Sequence, residues 1–187
     1  TDRSVQEALP LLSRLFDGTY TTEHRMLLSV EVDGAHYGEA LNDVALLKRE
    51  TGSMITLYAR LADTELASYE CDGLVISTPS GSTAYSLSAY GPLMMPQVRA
   101  MLITPIAPHS LTMRPLVIPE DETIDLTVSA RNNTFLIVLD GQTKILPCGA
   151  KITIRKSANS LCLLHLDSHS FTDTLRKKLL WAAPVRE

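Results

Sequence analysis

Residues 72–92 read DGLVISTPSGSTAYSLSAYGP, and the interpretation of the whole chain starts from this stretch. Residues 74–77 are an apolar segment that predicts a short β-strand. Pro79-Ser80-Gly81 then interrupts it, because proline and glycine favour turns. Residues 82–89 favour a short helix, which Gly91-Pro92 would end. The stretch therefore predicts a strand, a tight turn and the start of a helix.

This predicted turn is a candidate binding site. The first backbone amides of a helix have no intrahelical acceptor and carry the partial positive end of the helix dipole. The hydroxyl groups of Ser80, Ser82 and Thr83 stand at the same point of the sequence. Together these groups could bind an anion or the polar edge of a base. The alternative is a tight turn in which Ser82 is an ordinary N-cap.

Short apolar segments on both sides of this stretch predict a mainly β fold. Asp33-Gly34 and Asp140-Gly141 are two-residue hairpin signals. Regularly spaced strands with such turns are typical of a sandwich-like all-β domain with a few short helices. A helix containing Pro10 is predicted at residues 4–16, and another at about 171–180. The predicted strands are residues 26–32, 37–47, 54–61, 65–69, 74–77, 101–104, 116–118, 124–129, 135–139, 151–155 and 161–166.

Composition excludes several classes of protein. The 187 residues are 45% apolar and 20% charged, which is typical of a globular domain. No apolar run has the length of a membrane-spanning helix, and a net charge of −4 argues against generic binding to nucleic acid or to a membrane. Cys71, Cys148 and Cys162 form neither a metal-binding pair nor a disulfide framework, so we expect reduced thiols and a cytoplasmic protein.

The stretch at 72–92 resembles the signature of the NAD kinase family, which reads much like GDGL, an apolar residue, then STPTGSTAYSLSAGGP. Six further blocks resemble the family in the same order, from about residue 20 to residue 181. They are RMLL and ALND at 25–28 and 40–43, TPIAPHSL at 104–111, RPLV at 114–117, DGQ at 140–142 and TLRKKLLW at 174–181. The resemblance implies the C-terminal β domain of a two-domain kinase.

The resemblance also implies an activity, which is the ATP-dependent phosphorylation of the adenosine 2′-hydroxyl of NAD to give NADP. Family members carry a GGDG loop in an N-terminal α/β domain, and its aspartate is the expected catalytic base. GGDG does not occur in this chain. We therefore expect a helix leading in from a missing domain at 1–18, a β-rich NAD-binding domain at 19–170 and a C-terminal helix and tail at 171–187. This fragment should hold no catalytic residue and be inactive alone.

Carried over residue by residue, the resemblance implies a substrate site for NAD. Asn42 and Asp43 match a family Asn-Glu pair that binds adenosine, and the shorter aspartate predicts a longer or water-bridged ribose contact. Asp72 matches a carboxylate near the nicotinamide amide, although the residues alone also fit the aspartate of an Asp-Gly turn. Tyr85 offers a flat face and a hydroxyl, although by itself it could be a core or interface aromatic. The predicted NAD-binding residues are Asn42, Asp43, Asp72, Thr83, Ala84, Tyr85, Ser86, Leu87, Ser88, Ala107 and Gln142.

Cofactors and partners follow from the same resemblance. ATP is the expected phosphoryl donor with Mg²⁺, and a homodimer or homotetramer is expected. The chain itself predicts no metal site, since His165 and His169 lie in a segment predicted as a strand end and a turn. We expect no nucleic-acid or membrane partner.

Three alternatives stay open. One is a non-catalytic module that binds or senses adenine dinucleotides, and a second is a related lipid or sugar kinase. The third is a hydrolase in which His109, Asp140 and either Ser80 or Ser82 form a triad, although a Gly-x-Ser-x-Gly elbow is absent from the stretch.

Overall fold

The computed structural model describes residues 5–166 and 170–179. Two six-stranded sheets dominate it, which confirms the mainly β prediction. All the strand pairs whose register is defined run antiparallel. The strands are β1 Thr21–Val32, β2 Ala35–Ala40, β3 Asp43–Lys48, β4 Ile55–Leu61, β5 Thr64–Cys71, β6 Gly73–Ser77, β7 Ala100–Ile106, β8 Leu116–Pro119, β9 Ile124–Ser129, β10 Thr134–Leu139, β11 Gln142–Pro147 and β12 Ile152–His165.

The order of the strands defines two sheets. The first sheet runs β2-β1-β12-β9-β4-β5, and the second runs β11-β10-β3-β6-β7-β8. Strands with alternating burial, such as β9 with Ile124, Leu126 and Val128 buried, direct every second side chain into the core. The largest fully buried side chains include Leu28, Leu46, Leu57, Leu74, Ile76 and Phe135.

Both hairpin signals are confirmed. Asp33 and Gly34 connect β1 to β2 with φ angles of 51° and 80°, and Asp140 and Gly141 connect β10 to β11 with φ angles of 44° and 85°. Positive φ at both central positions gives the twist that two-residue hairpins require.

Three of the predicted strands have the wrong extent. The predicted strand at 37–47 is two strands in different sheets, because the chain leaves the first sheet after Ala40 and enters the second at Asp43. The predicted strands at 151–155 and 161–166 are one strand, β12. The polar residues between them stay extended, and their side chains find partners. Ser157 Oγ donates to the Glu39 carboxylate, and Asn159 Nδ2 donates to the same group at 3.1 Å.

The chain divides into two compact units, of which the larger is Arg25–Leu161. The described residues of the smaller unit include α1 Val5–Ala8, a 3₁₀ turn at Leu9–Leu11, α2 Ser13–Phe16 and α4 Phe171–Leu179. The helix predicted at 4–16 is thus broken around Pro10, which lacks the N–H that an uninterrupted helix needs. Ser4 and Leu180, the outermost residues of the two predicted helices, lie outside the described residues. None of the helices in the described part of the chain is long and apolar enough to cross a bilayer.

Candidate functional site

The candidate site lies on the outer face of the second sheet. Strand β6 is buried over its whole length, but only Leu74 and Ile76 belong to the core between the sheets. Since side chains alternate along a strand, Val75 and Ser77 face the other way. The segment that follows β6 packs back on this strand and buries that face.

That segment is not the single helix predicted at 82–89. It consists of a 3₁₀ turn at Ser80–Thr83 and one helical turn, α3 Tyr85–Ser88, separated by Ala84 with φ −102° and ψ −127°. Ser82 is not an N-cap, because its buried hydroxyl donates to the Pro79 carbonyl at 2.7 Å and accepts the Met94 N–H at 3.0 Å. Single turns align too few peptide dipoles to form the predicted anion site.

The turn before β3 forms one end of the site. The carboxylate of Asp140 accepts three backbone N–H groups there, from Leu41 at 2.6 Å, Asn42 at 2.8 Å and Asp43 at 3.1 Å. The Asp140 N–H in turn donates to the Asp43 carbonyl at 3.1 Å. Gln142, at the start of β11, is exposed and lines a cavity together with Asp140. Asp140 thus holds the backbone of Asn42 and Asp43 and lies two residues from Gln142.

Tyr85 lies close to two carboxylates. The side chain of Asp43 is buried, and this burial raises the pKa of the Asp43 carboxyl even though the Tyr85 N–H donates to it. Burial also raises the pKa of the Tyr85 hydroxyl, and the negative charges of Asp43 and Asp72 raise it further. The Tyr85 side chain remains 39% exposed. An accessible aromatic ring thus lies near two groups that can accept hydrogen bonds.

Asp72 and Ala107 form the other end of the site. The Asp72 N–H donates to the carbonyl of Ile106 at 3.0 Å, which places Ala107 directly beside Asp72. Ala107 is exposed and has a positive φ of 44°. The Asp72 carboxylate forms an ion pair with Lys48, with Oδ1 at 2.6 Å from Nζ. No pattern in the sequence indicated Lys48 or the role of Asp140, because both depend on strand pairing.

The remaining predicted residues belong to the segment at 83–88, and their side chains differ in exposure. Thr83 and Ser88 are exposed, whereas Ala84 and Leu87 are half-buried. Ser86 is buried, and its hydroxyl lies 2.9 Å from the Thr104 hydroxyl on β7. Ser86 therefore anchors the segment to the sheet, whereas Thr83 and Ser88 are exposed.

The hydrolase triad is not assembled. The His109 side chain is 72% exposed, and the charged atom nearest its Nδ1 is Glu70 Oε2 at 3.9 Å. Asp140 binds backbone amides and Ser82 binds Pro79 and Met94, so neither residue completes a triad with His109.

The described side chains do not fit a metal ion. Over residues 5–166 and 170–179, no group of three or more His, Cys, Asp or Glu residues could hold one. His165 Nε2 lies 2.9 Å from Glu23 Oε2 in the smaller unit, and His169 lies outside the described residues. What the site offers is carboxylate and amide acceptors, amide donors and an aromatic face. These groups suit a ligand with hydroxyls, an amide and a flat ring.

Several known proteins are similar to this chain. Residues 41–166 match the family model described as the ATP-NAD kinase C-terminal domain. An NAD kinase from Porphyromonas gingivalis is 53% identical over 187 residues, and one from Bacteroides fragilis is 39% identical over 188 residues. The alignments cover 100% and 99% of this chain, but in each case 65% of the relative. The chain thus spans about two thirds of the length of these curated relatives.

Two solved structures share the fold. Yeast NADH kinase complexed with NADH superimposes with a TM-score of 0.90 at 23% identity, over 97% of this chain and 56% of the yeast chain. An NAD kinase from Archaeoglobus fulgidus in complex with ATP gives a TM-score of 0.73 at 27% identity, over 84% of this chain and 60% of that one.

Proposed function

Because this chain belongs to the NAD kinase family through its C-terminal domain, we propose that it supplies the NAD-binding surface of an NAD kinase. The reaction is transfer of the γ-phosphoryl group of ATP to the adenosine 2′-hydroxyl of NAD, which gives NADP and ADP. The observation that carries this proposal is the accessible Tyr85 ring close to the Asp43 and Asp72 carboxylates. A dinucleotide presents matching groups, namely ring faces, ribose hydroxyls and a carboxamide.

Each end of the site takes a different part of NAD in this proposal. Asn42 and Asp43 bind the adenosine, where the Asp43 carboxylate accepts a ribose hydroxyl directly or through water. Asp72 accepts a hydrogen bond from the nicotinamide carboxamide, and Ala107 allows close approach beside it. The segment at 83–88 and Gln142 line the space between, and Tyr85 provides the aromatic surface.

Phosphoryl transfer also needs a base, and we assign no residue of this chain to that role. The 2′-hydroxyl oxygen bonds to the γ-phosphorus, the bond to the leaving ADP oxygen breaks, and the hydroxyl proton passes to a base. The expected base is the aspartate of the family's GGDG loop, and GGDG is absent from the sequence. We therefore place the base outside these 187 residues, which here act by binding and orienting NAD.

The domain organisation follows from this assignment. Residues 1–18 lead in from an N-terminal α/β domain, residues 19–170 form the NAD-binding domain, and residues 171–187 form the C-terminal helix and tail. ATP is the donor, in line with the Archaeoglobus relative, and Mg²⁺ accompanies its phosphates. No residue of this chain is assigned as a metal ligand. We also propose that the protein is a cytoplasmic homodimer or homotetramer.

A module that binds or senses adenine dinucleotides without catalysis is the second candidate. It would use the same Asn42, Asp72 and Tyr85 contacts, so the binding surface alone favours neither function. Only turnover separates them, because a sensing module binds NAD and forms no NADP.

The test is NADP formation from NAD, ATP and Mg²⁺ by the full-length protein encoded by the gene. We expect activity in the wild type and a rise in KM for NAD of about tenfold or more in Tyr85→Ala and in Asn42→Ala. Tyr58→Ala is the matched control, since Tyr58 is an exposed tyrosine on β4 of the other sheet. The 187-residue chain alone should form no NADP.

Three results would count against the proposal. Wild-type protein that binds NAD without forming NADP would favour the sensing module. Equal KM values for Tyr85→Ala and Tyr58→Ala would remove Tyr85 from the site. NADP formation by the 187-residue chain alone would place the base within this chain.

A further inference from the structure

We propose that Lys48 is a positioning residue that holds the Asp72 carboxylate in the orientation in which it accepts a hydrogen bond from NAD. This inference rests on the proposed function, because it assigns Asp72 to the NAD site. Lys48 itself does not contact the dinucleotide in this proposal. It acts through Asp72.

The Lys48 ammonium is tied to Asp72 by short contacts. Lys48 Nζ lies 2.6 Å from Asp72 Oδ1, and the two side chains are only 22% and 35% exposed. Nζ also donates to the Thr51 carbonyl at 3.3 Å, so the long side chain is held at a second point. A short ion pair removed in part from water is stronger than the average surface pair, which loses energy to solvent screening.

The backbone reinforces this arrangement. The Lys48 N–H donates to the Asp72 carbonyl at 2.9 Å, and the Asp72 N–H donates to the Ile106 carbonyl at 3.0 Å. The Asp72 main chain is therefore fixed between β3 and β7. Rotation of its side chain is the freedom that remains, and the Lys48 ammonium restricts it.

The consequence for binding is geometric and electrostatic. The ion pair engages Oδ1, so Oδ2 is the oxygen that can accept from a ligand N–H. Asp43 and Asp72 both lie near Tyr85, so the site presents two negative charges. The phosphates of the ligand are negatively charged as well. Lys48 compensates one of these charges and limits the repulsion.

The experiment measures the Kd of NAD by calorimetry on the full-length protein. Lys48→Met should weaken NAD binding about tenfold, the loss expected when a charge-assisted hydrogen bond is misplaced. Lys48→Arg keeps the charge and should bind within about threefold of wild type. Lys151→Met is the matched control, because it breaks a 2.9 Å ion pair with Asp125 in the other sheet.

A double-mutant cycle with Asp72→Asn separates positioning from a merely structural role. If Lys48 acts through Asp72, Lys48→Met should add little to the loss that Asp72→Asn causes by itself. A full tenfold loss in the Asp72→Asn background would overturn the proposal. So would a wild-type Kd in Lys48→Met, or an equal loss in Lys151→Met. If Lys48→Met does not fold, Lys48→Gln takes its place in the cycle, with the same expected loss.

Failure of the proposed function would be recognised by a different combination of NAD binding and NADP formation. If the wild-type protein binds NAD and the double-mutant cycle gives the expected result, but no NADP forms, the kinase activity is ruled out. The role of Lys48 in NAD binding then still stands. A wild-type protein that does not bind NAD overturns both.

Discussion

Gly81 lies so close to Asn42 that a Cβ atom on Gly81 would stand 2.0 Å from the Asn42 carbonyl oxygen and 2.5 Å from the carbonyl carbon. These are backbone atoms, and the same carbonyl accepts the Thr78 N–H at 2.9 Å, so it is held in place. The turn after β6 and the turn before β3 are therefore packed as one unit. Any side chain at position 81 must push them apart.

Gly81→Ala should destabilise the protein by about 1–3 kcal/mol, because its methyl group overlaps fixed backbone. It should also raise the KM for NAD, since Asn42 moves with its turn. Gly52→Ala is the control, because a Cβ there meets no atom within 4 Å. Urea unfolding of both variants measures the difference. Equal stability of the two would contradict the close approach.

Asp140→Asn should lower the free energy of unfolding by about 1–2 kcal/mol. The carboxylate accepts three N–H groups with two oxygens, whereas an amide has one acceptor oxygen and leaves the Leu41 or the Asn42 N–H without its partner. Asparagine tolerates the positive φ of this position, so the backbone is not strained by the change.

The control for Asp140 is Asp63→Asn, at the exposed hairpin between β4 and β5. Chemical denaturation of the two variants measures the difference in their free energies of unfolding. If Asp140→Asn unfolds at the wild-type midpoint, the carboxylate does not hold the turn before β3.

Asp43→Asn should be more stable than wild type at pH 7 and should bind NAD about tenfold more weakly. Burial raises the pKa of Asp43 above its ordinary value, so the folded state pays to keep this carboxyl ionised at neutral pH. As the pH falls towards that raised pKa, the folded state takes up the proton before the unfolded state does, and the penalty disappears.

The stability difference between Asp43→Asn and wild type should therefore shrink as the pH is lowered. Urea unfolding at a series of pH values from 7 to 4 measures it. A wild type that is more stable than Asp43→Asn at pH 7 would show that the ionised carboxylate is favoured in the folded state.

Cys71 should be unreactive in the folded protein. Burial raises the pKa of its thiol to about 11, so very little thiolate is present at pH 8. Cys162 is exposed and should react first with Ellman's reagent, and Cys71 only after unfolding. Cys162→Ser, which should lose the fast phase, identifies the thiol. A fast phase that survives in Cys162→Ser and maps to Cys71 would contradict this burial.

Much of the fold could be predicted from the sequence, and the errors have a common cause. The two Asp-Gly hairpins and most strands were found, because turn preference and apolar alternation act over a few residues. The strand predicted at 37–47 was wrong because the chain crosses there between sheets. The residue that stabilises this crossing, Asp140, is 98 positions away from Asn42.

Some features of the candidate site could likewise be predicted from the sequence, and others could not. The sequence pointed to Asn42, Asp72 and Tyr85, and the structure places Tyr85 near Asp72 and packs Asn42 against Gly81 in the turn before it. Their contacts with NAD stay a prediction. The helix expected at 82–89 was wrong, because hydrogen bonds from Ser82 to Pro79 and Met94 and the packing of Gly81 on Asn42 compete with a continuous helix.

The mainly β class, the hairpins and the family blocks can be recognised without a structure, since each depends on residues that are neighbours in the chain. The polar groups that support the site become visible only once the strands are paired. Lys48 meets Asp72 because β3 pairs with β6, and Asp140 reaches the turn before β3 because β10 pairs with β3 on the other side. A buried or half-buried polar group needs a partner, and in this fold the partner comes from a strand that is adjacent in the sheet and distant along the chain.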